Sequence, residues 1–346
     1  MMNVENRGLG IQAEGEIRSM PRIWRMLTPS VHAAVNGLTE TVTRGPVVLL
    51  GAGSGYFAAT FGQMLLERAG VRASAYTASD FVQRPTANSL ELLQRNQRSV
   101  AIALSRSGET SETLSAGRMF RRRGGRTIIA LTCRPESTLA READIVIDLG
   151  EADELAVPQT RSVSALWLSL LLLAGACDGQ DLRTQIMDVA QATDAAADHL
   201  WSTLSDLAAD GDGQVLLGSG LGYVLAREAA LKMVEMGRVP AWAYRTLEYR
   251  HGPLEALAPG TTLVGAFGDD LTEAELTAVA EAARATNRHF DIQVVIPQQA
   301  GPVGMLAQLY AAHAYSLLLS RRRGFDADRP ANIREHVGDI WLKGEQ

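Results

Sequence analysis

The chain has almost no lysine. Of the 33 basic residues among its 346, only Lys232 and Lys343 are lysines, and the rest are arginines. Codon usage in a GC-rich genome accounts for the trend, but any chemistry that needs an amine is left with two candidates. Cysteine is equally scarce. Cys133 and Cys177 lie far apart with no neighbouring cysteine or histidine. That excludes a disulfide scaffold and a CxxC metal site, and it fits a reducing cytoplasm. No basic excess is present either: the formal net charge is −6, which gives no electrostatic footprint for nucleic acid. The runs Arg121-Arg122-Arg123 and Arg321-Arg322-Arg323 read as solvated helix ends. Long apolar runs are also missing. The most apolar stretch, Val163 to Cys177, falls short of the roughly 20 residues a membrane span needs and reads as a buried helix. The mixed polar start, Met1 to Met20, has no apolar centre and is not a signal peptide. The expectation is a soluble cytoplasmic protein with neither nucleic acid nor membrane as a partner.

What is present is an ordinary globular balance, 46% hydrophobic and 21% charged, on a chain long enough for two domains. The chain also repeats itself. Val48 to Ala59 reads VLLGAGSGYFAA and Val215 to Ala226 reads VLLGSGLGYVLA. Each is an apolar run, a glycine turn and the start of a helical pattern, so each opens an α/β unit. Short apolar runs separated by helix-length polar segments predict buried parallel strands at Val100–Leu104, Thr127–Leu131, Ile145–Leu149, Thr262–Phe267 and Ile292–Ile296. Helices are predicted at Ile23–Thr43, Thr160–Ala176 and Thr184–Leu207. The organisation expected is a helical arm over 1–44, α/β domains over 45–178 and 179–320, and a tail over 321–346 that closes over the site. Ligands of such sheets bind at the rim where the strands end, so functional residues should follow strands directly.

One such place is Ser105-Arg106-Ser107-Gly108-Glu109-Thr110-Ser111-Glu112-Thr113, which lies between a strand and a helix. Hydroxyls, a glycine and a helix N-terminus together suit a phosphate monoester. A simple helix cap is the plainer reading, but a cap needs one hydroxyl and this segment supplies five. The matching turn of the second half contains Asp269 and Asp270, which would repel phosphate. A dinucleotide reading of Gly51-Ala52-Gly53-Ser54-Gly55 is disfavoured, because Tyr56 stands where the fingerprint wants glycine or alanine.

A second place is Glu228, Lys232 and Glu235, spaced to share one helix face. A surface salt-bridge ladder is the plain alternative. Downstream, His251 precedes Gly252-Pro253 in a turn, where a histidine is either structural or functional. Moving a proton between C1 and C2 of a sugar needs a carboxylate base, a group that opens the ring and a group that stabilises the enediolate. Glu235, His251 and Lys232 could fill those three roles with no metal or cofactor.

SRSGETSET (105–113), REAALKMVEM (227–236), EYRHGPLEAL (248–257) and DADRPANI (326–333) together resemble the SIS (sugar isomerase) family. The pattern is nearest the isomerase half of glucosamine-6-phosphate synthase and the ketose/aldose-phosphate isomerase–deaminases. The resemblance implies an α/β protein with two SIS domains, each a mostly parallel sheet flanked by helices in a flavodoxin-like three-layer sandwich. It implies that Ser105, Arg106 (through its backbone), Ser107 and Thr110 hold a phosphate, with Gly53 and Ser54 contributing from the first turn. It further implies that Val157 and Gln159 border the sugar and that Glu235 is the base, with Lys232 beside it. His251 would open the ring of a sugar bound by the partner copy in a homodimer. Two departures stand out: no glutaminase domain precedes the repeat, and Glu335 occupies the place where the synthases have a lysine. An isomerase, a deaminase or a deglycase therefore stays open, with a non-catalytic sugar-phosphate-binding regulator as the alternative.

Overall fold

The structure, a computed structural model, describes residues 8–83, 98–208, 213–256, 260–268, 271–284, 289–291 and 301–333. Its contacts divide the chain into two compact units. The first comprises Arg22–Glu154, Arg161–Met187 and Arg334–Gln346; the second comprises Met1–Pro21, Leu155–Thr160 and Asp188–Ile333. In chain order the elements are α1 (Ile11–Asn36), α2 (Thr39–Thr43), β1 (Val47–Gly51), α3 (Ser54–Arg68), β2 (Ala73–Thr77), α4 (Ala78–Gln83), β3 (Val100–Leu104), α5 (Ser111–Arg122), β4 (Thr127–Thr132), α6 (Thr138–Glu142), β5 (Ile145–Asp148) and α7 (Arg161–Cys177). There follow α8 (Arg183–Leu207), β6 (Gly213–Gly218), α9 (Leu221–Gly237), β7 (Ala241–Arg245), β8 (Thr261–Phe267), α10 (Glu273–Arg284), β9 (His289–Asp291) and α11 (Met305–Arg322).

The first sheet is parallel throughout, in the order β2-β1-β3-β4-β5. Every residue of β1 and β3 is buried, as expected of parallel strands covered on both faces. The period-two alternation of a strand sorts the layers. Val48 and Leu50 on β1, with Ala101, Ala103, Ile128 and Ala130 on its neighbours, pack against Phe81, Leu114, Phe120 and Leu139. Leu49 points the other way, where a Cβ on Gly62 of α3 would meet Leu49 and Leu170 of α7 at under 3 Å. Phe61 and Trp167 stack on that side with centroids 3.9 Å apart. The result is helices on both faces of a parallel sheet.

The second sheet is also parallel, in the order β7-β6-β8-β9. Its core includes Val215, Leu217, Leu263, Val279 and Tyr249. The repeated glycine turns have the same geometry in both units: Gly53 caps α3 at φ 53°, ψ −125°, and Gly220 caps α9 at φ 53°, ψ −126°. A Cβ on Gly51 would lie 2.4 Å from Gly55, and one on Gly218 would lie 2.2 Å from Gly222. These glycines let each helix start tightly against its strand.

The predicted strands at Val100, Thr127, Ile145 and Thr262 lie within one residue of those observed. The one predicted at Ile292–Ile296 lies outside the described residues. The leading helix is a clearer difference, because α1 begins at Ile11 rather than Ile23 and runs through Pro21. Its buried stripe, Ala13, Ile17, Met20 and Trp24, keeps helical spacing across the proline. Its start is capped from the far end of the chain: Asp328 accepts the N–H groups of Gln12 and Ala13 at 2.9 Å, and Asp326 accepts that of Gly10 at 2.9 Å. Arg321 is no solvated helix end either. It is 6% exposed, pairs with Glu14 at 2.7 Å and donates to the Leu9 carbonyl.

Candidate functional site

In the first unit the chain leaves β3 at Leu104 and turns through Ser105–Thr110 into α5. Ser105, Arg106 and Ser107 are each more than nine-tenths buried. The turn is braced by its own hydroxyls. Ser105 Oγ accepts the Gly108 N–H at 3.1 Å and lies 3.1 Å from Thr110 Oγ1, while Ser107 Oγ accepts the Glu109 N–H at 3.2 Å. Gly108 sits at φ 63°, and a Cβ there would fall 2.0 Å from Ser137 Oγ, so no other residue fits without displacing the neighbouring loop. Glu109 is turned outward, its carboxylate accepting the Thr138 N–H at 2.8 Å.

Thr110 occupies the N-cap of α5 without capping it. Its hydroxyl goes to Ser105 instead, so the plain capping role is not what this side chain does. The helix start offers its dipole and N–H groups to an anion. The β1–α3 turn adjoins the cradle, since β1 and β3 pair and a Cβ on Gly55 would meet the Leu104 carbonyl at 3.0 Å. Gly53 and Ser54 therefore share a rim with Ser105, Ser107 and Thr110. Arg106 points inward: its guanidinium lies 3.8 Å from Glu154, and both side chains are buried. Its carbonyl accepts Thr132 Oγ1 and the Cys133 N–H at 3.0 Å. Glu154 also accepts the Arg161 N–H and the Ser162 hydroxyl, so this ion pair fastens the cradle from beneath. Burial, reinforced by Glu154 and Asp153, raises the Cys133 thiol well above its usual range.

In the second unit Lys232 Nζ lies 2.7 Å from Glu235 Oε2 and 3.4 Å from Glu228 Oε1. The surface-ladder alternative fails on burial, because the Glu228 and Lys232 side chains are 0% and 1% exposed and only Glu235, at 21%, reaches solvent. The sequence reading missed His313 on α11, which is fully buried with Nε2 3.6 Å from Glu228 Oε1. A histidine amid a buried run of alanine, leucine and tyrosine was the available signal.

His251 is exposed, at the end of the short 3₁₀ turn Glu248–Arg250, and among the described residues its ring makes no hydrogen bond or ion pair. The turn is anchored by Tyr249, 1% exposed and 5.4 Å from the Tyr244 ring. Burial and the neighbouring Tyr244 push the Tyr249 phenol up to about 12. The segment Leu155–Thr160 hangs from Glu16, which accepts the N–H groups of Leu155 and Ala156. Val157 and Gln159 are half-buried there, and Gln159 Oε1 is a buried acceptor without a partner among the described residues.

At α10 of the second unit, the described residues form no comparable hydroxyl-rich turn. Asp269 and Asp270 lie outside the described residues, but Glu275 supplies a carboxylate of its own, accepting the Thr272 N–H at 2.8 Å and Thr272 Oγ1 at 2.9 Å. Burial alone would raise the Glu275 carboxyl, but hydrogen bonds from Ser219 and Thr272 hold it below its usual range. Among the described residues no three histidine, cysteine or acidic side chains are grouped to hold a metal. No helix among them is long and apolar enough to cross a membrane. The tail position Glu335 is not among them.

The strand–glycine–helix unit and the hydroxyl-rich turn of the first unit lie within a segment that matches a known domain. Residues 43–176 match the SIS domain. This SIS domain runs from just before β1 almost to the end of α7 and contains the cradle. Over 338 residues the chain is 28% identical to a glutamine–fructose-6-phosphate aminotransferase (isomerizing) of Sulfurisphaera tokodaii, covering 93% of this chain and 55% of that protein. The same enzyme of Symbiobacterium thermophilum is 29% identical, with 93% and 58% covered. The chain thus spans little more than half the length of these relatives. A glucosamine-6-phosphate deaminase structure from Thermotoga maritima shares the fold, with TM-score 0.82, 24% identity and 94% and 99% coverage. So does a tagatose-6-phosphate ketose/aldose isomerase from Escherichia coli, with TM-score 0.80, 22% identity and 96% and 98% coverage.

Proposed function

We propose that the protein is a sugar-phosphate isomerase or amino-sugar-phosphate deaminase that moves a proton between C1 and C2 of a hexose 6-phosphate. The observation that carries this reading is the Glu235 carboxylate, partly open to solvent and held at 2.7 Å by an ammonium that is itself 1% exposed. Such a carboxylate is oriented by the cation and can take and return a proton at carbon. The cradle of Ser105, Ser107 and Thr110 with the α5 N-terminus suits the phosphate, and the backbone of Arg106 and the Gly53–Ser54 turn line the same rim. Val157 and Gln159 are the proposed neighbours of the sugar hydroxyls. The relatives and solved structures named above each carry a hexose 6-phosphate in their names, which supports the substrate class. We read the second unit as a diverged second SIS domain, because its strand order and glycine turn repeat those of the first.

In the proposed reaction His251 protonates the ring oxygen and opens the sugar. Glu235 then removes the C2 proton of the open aldose and delivers it to C1, while Lys232 offsets the enediolate charge. For an amino sugar the same transfer gives a C2 imine, which water hydrolyses to the ketose with release of ammonia.

The test is a screen of hexose and amino-hexose 6-phosphates by thermal shift, followed by NMR for C1/C2 deuterium exchange in D₂O. Exchange supports the isomerase chemistry, and ammonia in the same tube assigns the deaminase. Binding without exchange overturns both in favour of a sugar-phosphate-binding regulator. In the exchange assay Glu235→Gln should lower turnover about 10²–10⁴-fold, the usual contribution of a general base, with binding nearly unchanged. Retained turnover removes Glu235 from the mechanism.

A further inference from the structure

Helix α1 carries two acidic residues that are put to different uses. Glu14 is partly exposed and pairs with Arg18 and with Arg321, each at 2.7 Å. Glu16 is buried, 5% exposed, and its Oε1 accepts two successive backbone N–H groups from far along the chain. That of Leu155 lies at 2.6 Å and that of Ala156 at 3.3 Å. Glu16 and the segment 155–160 belong to the same unit. Consecutive N–H groups that converge on one oxygen grip it from two points, as backbone does when it holds an anion. Residues 155–160 form no helix or strand, so the shape of this segment is not set by a regular ladder.

Holding residues 155 and 156 decides what the next four residues present. Ala156, Pro158 and Thr160 are buried, Val157 and Gln159 between them are half-buried, and Leu155 is 81% exposed. Such an alternation depends on where the segment starts, and the fixed φ of Pro158 carries the setting forward to Gln159. Gln159 Oε1 is a buried acceptor with no partner among the described residues. A buried acceptor is costly until a donor meets it, and the hydroxyls and amine of a sugar are donors. We propose that Glu16 is a positioning residue for sugar recognition. It holds the start of 155–160 so that Val157 and Gln159 face the sugar, and Gln159 Oε1 accepts from a hydroxyl or amine of that sugar. The role in recognition rests on the proposed substrate class, whereas the hold on the segment does not.

The experiment uses the full chain and calorimetry with three probes: fructose 6-phosphate, glucosamine 6-phosphate and inorganic phosphate. Glu16→Ala should weaken the tighter-binding of the two sugars at least about tenfold, the effect of a hydrogen bond of ordinary net strength, and inorganic phosphate by less than about twofold. Glu16→Gln keeps an acceptor oxygen at the same reach and should bring the sugar affinity back to within about threefold of wild type. If the alanine variant does not fold, Glu16→Asp, which withdraws the carboxylate by one methylene, takes its place and should show the same split. Equal losses for sugar and phosphate, an unchanged sugar affinity, or a glutamine variant as weak as alanine overturns the positioning role. Amide hydrogen exchange tests the hold itself: the Leu155 and Ala156 N–H groups should exchange at least about tenfold faster in Glu16→Ala than in wild type. Unchanged exchange shows that Glu16 does not fix the segment. A wild type that binds inorganic phosphate but neither sugar defeats the substrate reading alone, because the amide exchange still decides the hold.

Discussion

At the scale of the residue, the cradle is built from groups that brace one another and still face a rim. Thr110 sits at a helix N-cap, yet its hydroxyl pairs with that of Ser105 rather than capping the helix. Ser107→Ala with Thr110→Ala removes two hydroxyls. Each charge-assisted bond lost from a phosphate costs about 1.5–3 kcal/mol. The pair should therefore weaken sugar-phosphate binding by calorimetry about a hundredfold or more, with an unchanged far-ultraviolet spectrum. Unchanged affinity sinks the cradle assignment. Gly108→Ala meets two penalties at once, a left-handed backbone costing about 1–2 kcal/mol and a contact with Ser137 that forces the next loop to move. It should lower the melting temperature as well as affinity, and an alanine variant that binds and melts normally would show that the turn is not rigid. Ser105, Ser107 and Thr110 were legible in the sequence because hydroxyls crowd one strand-to-helix turn. His313 was not, because its meaning lies in a carboxylate on another helix, and no local spacing joins position 313 to 228.

At the scale of the element, short apolar runs placed the strands at Val100, Thr127, Ile145 and Thr262 to within a residue, since a buried parallel strand is a short apolar run whatever surrounds it. Helix α1 shows where that reasoning stops. Pro21 and the lack of a local cap hide its first turns, and the acceptors that start it, Asp326 and Asp328, come from the other end of the chain. Asp328→Ala leaves two helix N–H groups without their carboxylate and should cost about 0.5–2 kcal/mol, the range of a lost cap, read as a lower denaturation midpoint in urea. An unchanged midpoint would mean that solvent caps the helix equally well. Helix α10 makes the reverse point, because it carries its own local box in Thr272 and Glu275. The Glu275 carboxyl lies below its usual range when folded and regains its ordinary value, about 4.3, when the chain unfolds. Its ionised form thus adds stability above that pH, and the increment is lost as pH falls through the folded value. Glu275→Gln should melt lower than wild type at pH 7, and the difference should close as the medium is made acidic. A gap that stays constant with pH would assign the effect to packing rather than charge.

At the scale of the whole molecule, the repeated glycine turn was visible in the sequence, but what the two copies have become was not. One unit has a hydroxyl-rich turn before its helix, and the other has Thr272 and Glu275 bonded to each other at the corresponding helix start and carries the Lys232–Glu235 pair. One sugar phosphate per chain is the expected stoichiometry. His251 is the residue this arrangement leaves over: it is exposed, its ring is unengaged among the described residues, and the turn beneath it is rigidly held by Tyr249. The resemblance to the SIS family implies a ring-opening histidine supplied by the partner copy, and on that ground we propose that His251 serves the site of a second copy in a homodimer. Mixing two inactive variants tests this. Glu235→Gln and His251→Ala chains, unfolded together and refolded, form mixed dimers in which one site receives an intact Glu235 from one chain and an intact His251 from the other. For random pairing in a twofold dimer, exchange activity on the order of a quarter of wild type should return. If His251 acts within its own chain, every site in the mixture lacks one of the two groups and no activity returns, whatever the degree of association.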